Sequence, residues 1–179
     1  GFTKIECSNF AHIRIGRKLK FEMFGGYGLN VTNSYTLKVL AEYGLTDVIA
    51  SFELKLSQIS RLADYLPYGI IAYGKLPVML TVNCPIKQAV GCEKCEGKLT
   101  DRTNREFEVV CGSDAVEILN SETLLMSDKL DDIRGVNFIT LKFNKESAQE
   151  VVQIIESYKK HKKASINKFT RGLYYRGVI

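Results

Sequence analysis

Apolar residues recur through the first 82 positions in two alternating rhythms. Residues 4–9 read as a short strand, residues 11–19 as a helix-like stretch, and residues 21–28 as an apolar, glycine-punctuated buried strand. Residues 34–43 follow with Leu37, Leu40 and Ala41 on one helical face. Asn33 or Thr32 can cap the first turn of that helix, and Gly44 can end it in a left-handed conformation. Residues 47–53 are rich in Val, Ile and Phe and predict the next strand. Ile59, Leu62, Ala63 and Leu66 predict a helix over 56–66, stopped by Pro67. Residues 68–82 then read as one long apolar strand, which Pro77 breaks or bends.

Beyond Val82 the rhythm changes. Residues 83–112 hold several charges, turn-forming Gly97 and Asn104, and four of the five cysteines. Residues 107–111 alternate like a strand, 117–120 predict another, 130–134 one helical turn, and 138–143 a clear strand. Asn144 is the expected cap of a helix over 145–158, with Ala148, Val151, Val152, Ile155 and Tyr158 on its apolar side. Strand and helix alternating three times before another strand predicts the α/β class, with a mostly parallel sheet covered by helices. The expected organisation is one domain over 1–179. It comprises βα repeats over 1–82, a four-cysteine insertion over 83–112, and a final βα unit with a basic tail over 113–179. An eight-fold βα barrel takes about 250 residues, so only a partial TIM-barrel-like fold fits this length. A partial barrel exposes two sheet edges unless another segment covers them.

Composition narrows the class without naming a function. Apolar residues make up 45% and charged residues 25% of the 179, an ordinary globular balance. No apolar run is long enough to span a bilayer, so the expectation is a protein without membrane partners. The first residue is Gly rather than Met, which suggests a processed or excised piece of something longer. The net charge is +5, but its distribution matters more. Lys159, Lys160, Lys162, Lys163, Lys168, Arg171 and Arg176 follow Glu156 with no acid after it, so a mildly acidic body carries a basic tail. Such a tail attracts phosphate backbones, or it is simply a solvated helix end.

Cys84, Cys92, Cys95 and Cys111 carry the strongest chemical signal, spaced C-x7-C-x2-C-x15-C. Two residues between Cys92 and Cys95 let both sulfurs of a tight turn face one centre. Four thiolates suit either a tetrahedral zinc ion or one iron–sulfur cluster. The absence of a secretory signal favours a reducing, cytoplasmic setting over a disulfide network. A redox CxxC normally opens a helix, and Gly97 argues against one here. Cys7 stands apart as a core thiol. No Ser–His–Asp order, HExxH, GxGxxG or Walker pattern occurs, so no hydrolytic nucleophile or metal-bound water can be assigned from motifs.

These residues also carry a resemblance. Tyr73-Gly74-Lys75-Leu76-Pro77-Val78-Met79, then Val82-Asn83-Cys84-Pro85, then Cys92 and Cys95, resemble the central signature of the U32 peptidases, the collagenase-like proteases. The similarity runs on through Leu99-Thr100-Asp101-Arg102, Phe107-Glu108-Val109, Ile118-Leu119-Asn120-Ser121 and Leu125-Met126-Ser127-Asp128-Lys129-Leu130. Leu29-Asn30-Val31-Thr32-Asn33 resembles the family's asparagine-rich strand end, and residues 170–178 its closing segment. The resemblance implies the carboxy-terminal portion of a TIM-barrel-like domain from a peptidase-like hydrolase whose catalytic type is unassigned. Family members studied for their chemistry include oxygen-independent hydroxylation factors for RNA and for ubiquinone precursors, which carry cysteine-ligated 4Fe–4S clusters. In that light Cys84 matches the first family ligand, and Cys92, Cys95 and Cys111 complete the set.

Three readings follow: a U32 peptidase-like enzyme with a metal or 4Fe–4S site, a hydroxylation factor acting on RNA or a small molecule, and an RNA-binding module stabilised by structural zinc. The substrate is then RNA or a peptide, and the remainder of the same barrel is the other expected partner. In βα barrels chemistry gathers at the carboxyl ends of strands. Asn9, Asn30, Asn33, Glu53, Tyr73 and Asn83 fall at or just past such ends. Asn30, Asn33, Glu53 and Tyr73 are therefore candidates for substrate binding, and Arg171 and Arg176 in the tail are candidates to hold an anionic substrate.

Overall fold

A computed structural model describes residues 1–112 and 115–177. Contacts divide the chain into two compact units. The first takes residues 1–73, 126–165 and the chain from 171 onward; the second takes 74–125 and 166–170.

The first unit opens with strand β1 (Lys4–Cys7), helix α1 (Phe10–Leu19), strand β2 (Glu22–Gly25), helix α2 (Ser34–Glu42), strand β3 (Leu45–Ile49), a single turn α3 (Leu56–Ile59) and strand β4 (Tyr68–Gly74). β1 pairs with β2, β2 with β3 and β3 with β4, each in parallel. Parallel neighbours need a crossover between them, and α1 and α2 supply the first two. Both helices start where their asparagines allow: the side chain of Asn9 accepts from the His12 N–H, and that of Asn33 from the Thr36 N–H. α1 buries Ile13 and Gly16. A Cβ at Gly16 would collide with the thioether of Met23 on β2, so glycine lets helix and strand approach.

The helix expected over 56–66 stops at Ile59. The Tyr68 hydroxyl donates to the carbonyls of Ile59 and Leu62, and the Ala63 N–H donates to Ser34 Oγ. These groups are the ones a further helical turn would use. The strand expected over 68–82 also divides, because Gly74 takes a φ of 123° and turns the chain out of β4.

The second unit is built from antiparallel strands. β5 (Pro77–Thr81) pairs with β8 (Val116–Leu119), β8 with β7 (Glu106–Cys111), and β7 with β6 (Lys98–Thr100). A short helix, α4 (Pro85–Val90), precedes β6. Ile86, Val109, Val116 and Ile118 form a small core, with Cys84, Leu99 and Phe107 packed on it. The cysteine-bearing stretch 83–112 lies inside this unit. β9 (Thr123–Leu125) lies parallel to β11 (Phe169–Thr170) in the same unit.

The chain re-enters the first unit at Met126. β10 (Phe138–Leu141) lies parallel to β4, with Phe138 opposite Gly69 and its ring where a Cβ on that glycine would sit. Helix α5 (Ala148–Lys159) follows. Its cap is Ser147, not Asn144: Ser147 Oγ accepts from the Glu150 N–H while the Glu150 carboxylate accepts from the Ser147 N–H. The Asn144 N–H is instead bound by the Glu146 carboxylate. α5 buries Ile154 and Tyr158 and leaves Val152 exposed, so its buried face is rotated from the one expected. The tail is ordered, with Tyr174 fully buried and its hydroxyl donating to the Ile71 carbonyl at 2.5 Å. The first unit is thus mixed α/β with a parallel sheet β1-β2-β3-β4-β10. Among the described residues no helix is long and apolar enough to cross a membrane.

Candidate functional site

Cys84 sits at the N-cap of α4, half-buried against the small core. Its thiol is pushed below the ordinary range, first by the Lys87 backbone N–H, then by that of Ile86, by a hydrogen bond from Cys111 and by the Lys87 charge. Cys111, at the end of β7, is pushed the other way. Partial loss of solvation by its neighbours raises it most, although the residue is exposed, followed by its hydrogen bond to Cys84 and electrostatic interaction with Cys84, Cys95 and Cys92. The two shifts run in opposite directions, as expected for a pair in which Cys111 donates its S–H to Cys84. Cys92 opens a single 3-10 turn that Cys95 closes through its N–H to the Cys92 carbonyl, and the Gly97 N–H donates to Cys95 Sγ at 3.4 Å.

All four cysteines lie in one unit, with Cys111 hydrogen-bonded to Cys84 and in electrostatic reach of Cys92 and Cys95. Among the described residues no three Cys, His, Asp or Glu side chains are drawn together tightly enough to hold an ion. The donor chemistry nonetheless fits a soft metal: four free thiols, one of them already biased toward thiolate by backbone donors. Cys7 is fully buried in the first unit, with its thiol pushed up by burial, as a core residue requires.

A second group gathers at the carboxyl ends of the parallel strands. After β1, the Ser8 N–H donates to His12 Nδ1. After β2 comes Tyr27, whose ring lies 6.0 Å from that of Phe52, just past β3. After β10, Lys142 Nζ stands 4.8 Å above the Tyr27 ring and 3.4 Å from its hydroxyl. On β4, the Tyr73 hydroxyl donates to Glu146 Oε1 at 2.9 Å, and its ring packs 5.2 Å from Phe143. Burial, then the Glu146 hydrogen bond, raise the Tyr73 hydroxyl far above its ordinary value.

Of the expected substrate-binding residues, Asn30, Asn33, Glu53 and Tyr73 all follow or end parallel strands of the first unit. Tyr73 is buried and engaged by Glu146. Asn30 is exposed, with a φ of 47°. The Asn33 side chain is occupied by the α2 cap, and Glu53 is exposed, its N–H bonded to Ser51 Oγ. Arg171 meets Asp128 through two parallel bonds of 2.7 and 2.8 Å, which hold the Asp128 carboxyl below its ordinary range. Arg176 is exposed in the final turn. Tyr27, Lys142, Glu146 and His12 did not emerge from the sequence reading. The one available signal was Lys142, the lone charge within the apolar run 138–143.

Comparison with curated proteins finds no match, and comparison with solved structures finds none. The model of peptidase family U32 matches residues 4–174, a stretch that takes in the eleven strands found among the described residues and all five cysteines, and the chain belongs to that family.

Proposed function

We propose that this chain works as a U32 peptidase-like enzyme, with Cys84, Cys92, Cys95 and Cys111 holding a metal centre, either zinc or a 4Fe–4S cluster. The parallel sheet is read as part of a TIM-barrel-like domain, and the substrate as a polypeptide. What supports the reading is the convergence of the cysteines in one unit: Cys84 at the start of α4, its thiol pushed below the ordinary range by the Lys87 and Ile86 N–H groups and by Cys111, with Cys92 and Cys95 in electrostatic reach of Cys111. Bound zinc would supply Lewis acidity, and a cluster would supply redox capacity. The chain's own residues do the rest. Backbone donors at α4 favour the thiolate form of Cys84 for ligation, and the Cys92 turn carries two further sulfurs. At the strand ends, Tyr27 and Lys142, with exposed Asn30 and Glu53, are the groups we read as available to a peptide backbone, with Tyr73 buried behind them and held by Glu146. Four reduced thiols suit a reducing compartment such as the cytoplasm.

Anaerobic purification followed by metal analysis, an absorbance scan and an assay on denatured collagen tests this. Stoichiometric zinc or a broad band near about 400 nm, lost in the Cys84→Ser and Cys111→Ser variants, supports the reading, as does peptide cleavage lost with the metal. Metal-free protein under these conditions, or cleavage indifferent to all four cysteines, refutes it. The hydroxylation and RNA-binding readings gain no separate support from the geometry of either group.

A further inference from the structure

β5 is the last strand of its sheet, paired with β8 along one edge. Among the described residues its other edge takes no backbone hydrogen bond. A register shift disturbs only its start, between Pro77 and Met79. Val78, Met79, Leu80 and Val82 each expose more than half of their surface. Successive side chains of a strand point to opposite faces, so neither face of this strand is buried. From Leu76 to Asn83 there is no charged residue. Proteins normally blunt such an edge with lysine, a covering segment or a persistent bulge; among the described residues, 79–82 have none of these.

We propose that the free edge of β5 is a peptide-binding site, which takes an extended, apolar polypeptide as an added strand. An open row of backbone donors and acceptors is complemented by another extended backbone, and alternate side chains on the flanking faces then select apolar residues. A second copy of the chain is the competing occupant. The four exposed side chains fall short of the roughly 800 Å² per partner that a standard stable interface buries. A short peptide docked by main-chain bonds needs no such area. Two residues past Val82 the chain reaches Cys84, so this edge leads directly into the cysteine-bearing segment. The choice of a polypeptide as ligand rests on the peptidase reading.

The test is fluorescence anisotropy with a fluorescein-labelled peptide of alternating valine and threonine, using the intact wild-type chain. The same peptide N-methylated at alternate residues, which cannot complete a ladder, is the control. Leu80→Lys and Val82→Lys, at positions 68% and 82% exposed, place a charge on the edge without touching the core. The expected result is measurable binding that falls about tenfold or more with the N-methylated peptide and with either variant, while circular-dichroism melts stay unchanged. Equal binding of both peptides, or binding insensitive to both lysines, overturns the proposal. So does a concentration-dependent dimer that Leu80→Lys dissociates, which would assign the edge to a second copy. Binding requires neither turnover nor metal, so loss of the metal reading leaves this result standing, and the reverse also holds.

Discussion

Tyr158→Phe removes one oxygen atom from the interior of the first unit. The Tyr158 side chain is almost fully buried, and its hydroxyl does two things at once: it accepts from the Met126 N–H at 3.0 Å and donates to the Ala72 carbonyl at 2.6 Å. The partners lie 32 and 86 residues away in the chain, so one atom ties the last turn of α5 to β4 and to the start of the 126–165 segment. Phenylalanine keeps the ring and its packing but leaves a buried donor and a buried acceptor without this partner. At about 1–3 kcal/mol per orphaned group, with the carbonyl at the lower end because it has a second lone pair, the loss is about 2–4 kcal/mol. For a chain of this length that is a fall in Tm of about 5–15 °C. Tyr174→Phe is the internal control, since that hydroxyl, equally buried, donates only to the Ile71 carbonyl. It should cost about 1–2 kcal/mol. Urea denaturation followed by far-ultraviolet circular dichroism reads both. If the two variants lie within about 0.5 kcal/mol of each other, the two-bond account of Tyr158 is wrong.

Three further outcomes are expected. Asp128→Asn removes a partly exposed but bidentate ion pair with Arg171. The Asp128 carboxyl is held below its unfolded value, so its contribution is present above the unfolded pKa and lost as pH falls through the folded one; the variant should lose about 1 kcal/mol at neutral pH and nothing once both states are protonated, read by denaturation midpoints across an acid series. Ser147→Ala should destabilise by about 1 kcal/mol while Asn144→Ala stays near neutral, because the capping box is built on Ser147. In chelator-treated protein, iodoacetamide should label Cys84 at lower pH than Cys111, and Cys111→Ser should leave Cys84 labelling less sensitive to its neighbour; mass spectrometry showing Cys111 reacting first would contradict the assigned direction of the proton.

Much of the frame was legible because it is local. Asn9 and Asn33 cap helices through residues three positions on, and the strand rhythm places β1 to β3 and β10 within a few residues of their observed bounds and starts β4 at its first residue. The four cysteines and their spacing are also plain in the chain, and so is the family resemblance. What distance decides was not legible. α3 ends at Ile59 because a hydroxyl from β4 takes the carbonyls that a longer helix would use. Arg171, free in the sequence to seek an anionic ligand, meets Asp128 from 43 residues away. Lys142 finds the Tyr27 ring across 115 residues, and Tyr73 finds Glu146 across 73. Residues 77–82 read as the continuation, past Pro77, of one long apolar strand, yet they form an exposed edge. Apolar periodicity records which residues share a face of one element. It holds no record of whether a neighbouring element covers that face, because covering depends on how strands and helices remote in the chain are brought together.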